Sequence, residues 1–131
     1  HLHSENKIKL DKKIDIYLVD TFGETKSFLK ICKVVFLGGS LIKHGGQNPL
    51  EAARFGCRVM HGPNISNFSE VYSLLNKNNI SLKVNTFNNA KKIIKQNLSS
   101  NFSSKNIINK LNAIGNKVLI LNKKEIIKYI K

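Results

Sequence analysis

Residues 38–56 read GGSLIKHGGQNPLEAARFG, and this stretch decides how the chain should fold. Two glycine pairs bracket a short apolar and basic run, and Asn48-Pro49-Leu50-Glu51 then opens a helix. Asn48 suits the N-cap, where a side-chain oxygen takes an otherwise unpaired amide. Pro49 suits the first helical position, which needs no N–H, and Gly56 suits the left-handed stop. Six of the chain's eight glycines lie between Gly38 and Gly62. Glycine weakens regular structure, so such a cluster marks backbone that turns sharply or comes close to something.

Working outward, short runs rich in β-formers alternate with stretches of helical spacing. IDIYLV (14–19) reads as a buried strand ending at Asp20-Thr21. GETKSFLKIC follows with Phe28, Leu29 and Cys32 at helical spacing, Asp20 or Thr21 as its cap, and Glu24 in its first turn. VVFLG (34–38) is the next strand and runs into the glycine loop. Beyond the 48–56 helix, CRVMHGP reads as a third strand. NFSEVYSLLNKNN is an amphipathic helix with Phe68, Val71, Tyr72 and Leu75 on one face. SLKV is a fourth strand, and Asn88 or Asn89 starts a further helix through Ile94 and Leu98. In the last third, Ile107, Leu111, Ile114, Val118 and Leu121 recur at helical spacing, although KVLIL alone also fits a strand. The end, NKKEIIKYIK, reads as a separate short helix. Four strand–helix alternations predict an α/β domain, a parallel sheet with helices on its faces.

Composition narrows the function. The 131 residues fit a single domain, and 41% hydrophobic content is enough for a core without metal or disulfide staples. The chain opens abruptly on the polar run HLHSENKIKL, which reads as a cut inside a longer protein. No run is long enough to be a transmembrane helix. Cys32 and Cys57 both sit among apolar residues, which favours two reduced, partly buried thiols over a bridge, and two cysteines make no zinc site. The net charge is +14, but all except two of the 22 basic residues are lysines, and they are scattered. Arg54 and Arg58 are the only arginines, and tryptophan is absent. Nucleic-acid readers rely on arginine forks, basic clusters and stacking aromatics, so nucleic acid is not the expected partner.

In open parallel sheets, ligands bind beyond the carboxyl ends of the strands. DTFGE after the first strand, GGS…GGQNPLE after the second and HGPN after the third would all converge on that rim. Two helix starts, at Gly23-Glu24 and Asn48-Pro49, would offer unpaired N–H groups to an anion such as phosphate. Neither the P-loop lysine nor the spaced glycines of a dinucleotide fold are present. No metal-ligand cluster or cofactor motif stands out, and His44 and His61 are weak signals. Glu51 has two readings. Three residues past Asn48 it has the spacing of a capping box, and spacing alone favours that role. A carboxylate there could equally accept hydrogen bonds from two vicinal sugar hydroxyls. Glu24 poses the same choice.

The stretch from Val19 to Leu75 resembles the C-terminal domain of 3-deoxy-D-manno-octulosonic acid (Kdo) transferases. That family carries a D-T-x-G-E turn, a G-G-S…G-G-x-N-P-L-E loop and helix, and a G-P-x-x-x-N-F segment. They stand here in the same order and spacing as DTFGE, GGSLIKHGGQNPLE and GPNISNF. The resemblance implies a GT-B fold of two Rossmann-like domains, of which this chain is part of the second, so that residues 1–131 form one CMP-sugar-binding domain. It implies an inverting transfer of Kdo from CMP-Kdo to a lipid A precursor, at the cytoplasmic face of the bacterial inner membrane, with peripheral attachment to that surface. The general base and the acceptor site would lie on the N-terminal domain, leaving no catalytic residue in this chain.

By the same resemblance, Phe22, Gly23 and Glu24, together with Asn48, Pro49, Leu50 and Glu51, stand where the family meets CMP. The glycines would then let the loop pass close to the nucleotide. Phe22 replaces a methionine, and the family's upstream H-P-x-R-like segment has no counterpart in the chain. Two other readings remain: a transferase of the same fold with another sugar nucleotide, or a non-catalytic basic module for an anionic partner or RNA.

Overall fold

The computed structural model describes residues 1–5, 14–99 and 102–130. Residues 6–13, which include the second half of the polar opening run, residues 100–101 and the final Lys131 lie outside the described residues. In chain order the elements are α1 (Thr25–Ile31), β1 (Val34–Phe36), α2 (Leu50–Arg54), β2 (Arg58–His61), α3 (Ser69–Lys77), β3 (Ser81–Lys83), α4 (Phe87–Ser99) and α5 (Ser104–Ile127). The three strands form one parallel sheet in the order β1-β2-β3. Val34 pairs with Arg58 through to Phe36 with Met60, and Val59 pairs with Ser81 through to His61 with Lys83.

Two apolar clusters show that the sheet is covered on both faces. Strand side chains alternate, so Val59 and Met60, adjacent on β2, enter different clusters. The larger cluster joins Leu29 of α1, Ala52 and Ala53 of α2, Tyr72 and Leu75 of α3, Ile80, and Ile107 of α5. Strands laid down in consecutive order, with right-handed crossovers, put α2 and α3 on the same face, and this cluster is that face. Ala53, Cys57, Val59, Tyr72, Leu75 and Ile80 are fully buried there, each large side chain stabilising the fold by about 1.5–3 kcal/mol. The smaller cluster, Met60, Val84 and Ile93, lies under α4 on the opposite face.

Local signals account for most boundaries. Gly56 has φ of +79° and donates to the Ala53 carbonyl at 3.0 Å, the expected left-handed stop. Phe68, Val71, Tyr72 and Leu75 all join the larger cluster, as their spacing predicts.

Five expectations need correction. Residues 14–19 form no strand of the sheet; Leu18 makes one isolated parallel bridge with Leu2, and Ile16 and Leu18 stay exposed. A β-former run becomes a strand only when a neighbour pairs with it, and here Tyr17 packs instead among the rings of His1, His3 and Phe28. Asp20 does not cap α1, because it accepts hydrogen bonds from the Ser4 amide (2.9 Å) and hydroxyl (2.6 Å). Those bonds hold its carboxyl below the usual range. Glu24 takes the position before α1, so it precedes the first turn. The start of α4 is capped not by Asn88 or Asn89 but by Thr86, whose Oγ1 accepts from the Asn89 amide at 3.2 Å. Lastly, the two helices expected after residue 103 are one helix of 24 residues, started by the Ser103 hydroxyl accepting from the Asn106 amide. Its second half, from Val118 on, runs beyond the core with its apolar residues exposed.

Candidate functional site

The loops leaving β1 and β2 are bound to each other at the carboxyl edge of the sheet. The Ser40 hydroxyl donates to the Leu37 carbonyl (2.7 Å) and accepts from the Gly62 amide (2.9 Å), while the Ser40 carbonyl accepts from the Asn64 amide (2.9 Å). The Asn67 amide donates to the Gly45 carbonyl at 3.1 Å, and its side chain donates to the His44 carbonyl at 3.3 Å. The Tyr72 hydroxyl donates to the Gln47 carbonyl at 2.9 Å from below. GGS, HGGQ and GPNISNF therefore form one fabric that presents the NPLE turn.

This fabric gives several of the glycines a structural purpose. A Cβ at Gly45 would stand 2.5 Å from the Asn67 side chain, one at Gly62 would meet the Ser40 carbonyl, and one at Gly56 would stand 2.7 Å from Ser104. What these glycines approach is the chain itself. Gly23 and Gly38 differ, with no atom near the position a Cβ would take.

The first turns of α1 and α2 share a groove of about 510 Å³, lined by Lys26, Asn48, Leu50, Glu51, Arg54 and Phe55. Of the seven residues expected at the site, Asn48, Leu50 and Glu51 line this groove. Pro49 is buried beneath it, while Phe22 is fully exposed and Gly23 and Glu24 lead into α1 without lining it. Asn48 does cap α2: its Oδ1 accepts from the Leu50 amide at 3.0 Å. Glu51 does not complete a capping box. Among the described residues its carboxylate has no hydrogen-bond or ion-pair partner, and it is exposed at the groove. Glu24 likewise makes no side-chain capping bond. α1 has seven residues and α2 five, so their dipoles are short and side chains carry the charge of the site.

Sequence reasoning missed Lys26 and Arg54, the two cations of the groove. Arg54 is three residues past Glu51, a spacing that puts both on one helical face. Lys26 lies two residues past DTFGE but carries no pattern of its own.

The remaining candidates are structural. His61 is fully buried, with Nδ1 2.7 Å from the Gly62 carbonyl, Nε2 3.3 Å from Asn76 Oδ1, and its ring 4.4 Å from that of Tyr72. Both cysteines are free. The Cys57 thiol is 3.2 Å from the Leu29 and Cys32 carbonyls, and burial pushes its pKa up to about 11. Among the described residues no group of three or more His, Cys, Asp and Glu side chains is placed to hold a metal ion. Nor is any helix among them long and apolar enough to cross a membrane.

A parallel sheet with helices on both faces and a groove with charged side chains beside its loops is a Rossmann-like domain, the build of the C-terminal half of GT-B glycosyltransferases. The chain superposes with a TM-score of 0.76 on the crystal structure of the C-terminal CMP-Kdo binding domain of WaaA from Acinetobacter baumannii, covering 87% of this chain and 59% of that one. At 23% identity this likeness speaks for the fold. In sequence the chain is similar to 3-deoxy-D-manno-octulosonic acid transferases, and the resemblance read from its three motifs is borne out. The Haemophilus influenzae protein is 32% identical over 113 residues, 86% of this chain and 26% of that protein. The Rickettsia typhi protein is 34% identical over 87 residues, 66% and 19% respectively. A probable mitochondrial transferase of Arabidopsis thaliana is 34% identical over 79 residues, 60% and 18%. The chain thus spans 26% of the Haemophilus influenzae protein and 19% of the Rickettsia typhi one. No family model matches it.

Proposed function

We propose that this chain is the donor-binding part of an inverting Kdo transferase and that its groove holds the nucleotide of CMP-Kdo. The observation that carries this reading is Glu51: a carboxylate with no partner among the described residues, on a capped turn, facing a groove large enough for a nucleotide. Such a group is free to accept both hydroxyls of a ribose. The likeness to named Kdo transferases supports the choice of donor.

In this reading the acceptor is a lipid A precursor, bound by another part of the protein that also supplies a glutamate as base. The acceptor hydroxyl attacks the anomeric carbon of Kdo, and CMP departs. The protein works at the cytoplasmic face of the bacterial inner membrane, held peripherally.

Amide-resolved NMR titration with CMP tests the donor site. Shifts should concentrate at residues 22–26 and 45–55, and the 131-residue chain alone should not transfer Kdo from CMP-Kdo to a lipid A precursor. Shifts spread across the lysines of α4 and α5 would instead mark a generic polyanion binder.

A further inference from the structure

We infer that Lys26 and Arg54 clamp the anionic phosphate of the nucleotide across the groove, while Glu51 takes its ribose; this rests on the donor-site reading above. The two cations come from different helices and line the same 510 Å³ groove. Both are exposed, and neither has a hydrogen-bond or ion-pair partner among the described residues.

The missing ion pair is informative. Glu51 and Arg54 are three residues apart on α2, the same spacing as Glu125 and Lys128, which do pair at 2.7 Å. At the groove, both charges stay uncommitted although an opposite charge lies one turn away on the same face. One carboxylate and two cations left open around one space suit a ligand that carries hydroxyls and a negative charge. An uncharged nucleoside would use only the carboxylate, and inorganic phosphate only the cations. A nucleoside monophosphate uses all three. Arg54 adds a planar fork for phosphate oxygens, and Lys26 adds a point charge from α1.

The test compares cytidine, CMP and inorganic phosphate as probes of the 131-residue chain by calorimetry or NMR titration. The wild-type chain should prefer CMP to cytidine. Lys26→Gln and Arg54→Gln should each shrink that preference by roughly three- to tenfold, the range for an exposed charge-assisted contact. Cytidine affinity should be unchanged, and Arg54→Lys should restore part of the loss. Lys91→Gln, on α4, should change nothing. Both groove side chains are exposed, so melting temperature should not move, and unfolding scans verify it. An undiminished CMP preference in both variants would overturn the clamp and leave the donor reading standing. A wild-type chain that binds neither cytidine nor CMP would overturn the donor reading, and the clamp with it.

Discussion

Glu51 is where a single side chain separates two roles. A capping residue would be held by the Asn48 amide, and its loss would lower stability. The free carboxylate found here has no such bond to lose. Glu51→Gln should therefore leave the melting temperature unchanged while weakening CMP binding roughly tenfold, because it removes a charged acceptor and keeps the shape. A fall in melting temperature with unchanged CMP affinity would return Glu51 to a purely structural role. The capping-box spacing was legible in the sequence, but whether the carboxylate reaches back to the amide or outward is a matter of rotamer and surroundings. Lys26 and Arg54 were illegible for a related reason. A groove between two helices is set by their relative placement, and neither residue signals it alone.

At the scale of elements, the glycine-rich loop makes the sharpest prediction. Gly62 is buried against the Ser40 carbonyl, a backbone atom that cannot swing aside as a side chain would. Gly62→Ala should cost about 1–3 kcal/mol in unfolding free energy, the usual penalty for overpacking, and should loosen the Ser40–Asn64 connection. Gly38→Ala meets open space and should be neutral or stabilising by a few tenths of a kcal/mol, through the unfolded state. Urea denaturation of the two variants checks the contrast, and equal stability would show that the fabric yields. The density of glycines was legible in the sequence, and the packed loops give Gly45, Gly56 and Gly62 a close neighbour within the chain. Glycine content reports that something is near, but only the packed loops reveal that Gly62 lies against the Ser40 backbone and Gly45 against the Asn67 side chain.

For the molecule as a whole, the larger core sets the response to alkaline pH. Burial raises the Cys57 thiol to about 11 and the Tyr72 hydroxyl to about 12, from ordinary values of 9.0 and 10.0. Both groups are fully buried and neutral in the fold. Since each folded pKa lies above its unfolded value, their contribution is complete below about pH 9 and is lost as pH rises. The unfolded chain ionises first, and stability should fall between about pH 9 and 12, by at most about 1.4 kcal/mol per pH unit for each group. Cys57→Ala should flatten the lower part of that decline, between about pH 9 and 11, in urea midpoints taken across the range. A decline unchanged by the substitution would show that lysine titration dominates instead.

The sequence by itself determined the helices, the cap at Asn48, the stop at Gly56 and the three ordered motifs, because helical period, caps and glycine stops are written within a few neighbouring residues. Even the joining of the last two predicted helices into α5 required only that no breaker separate them. Tertiary structure alone decided that residues 14–19 stay out of the sheet, since a strand exists only through hydrogen bonds to a partner distant in sequence. It also decided that Gly45, Gly56 and Gly62 pack on the chain itself and that Lys26 and Arg54 line the groove with Glu51. Each of these depends on where two separate segments come to rest against one another, which no local pattern encodes.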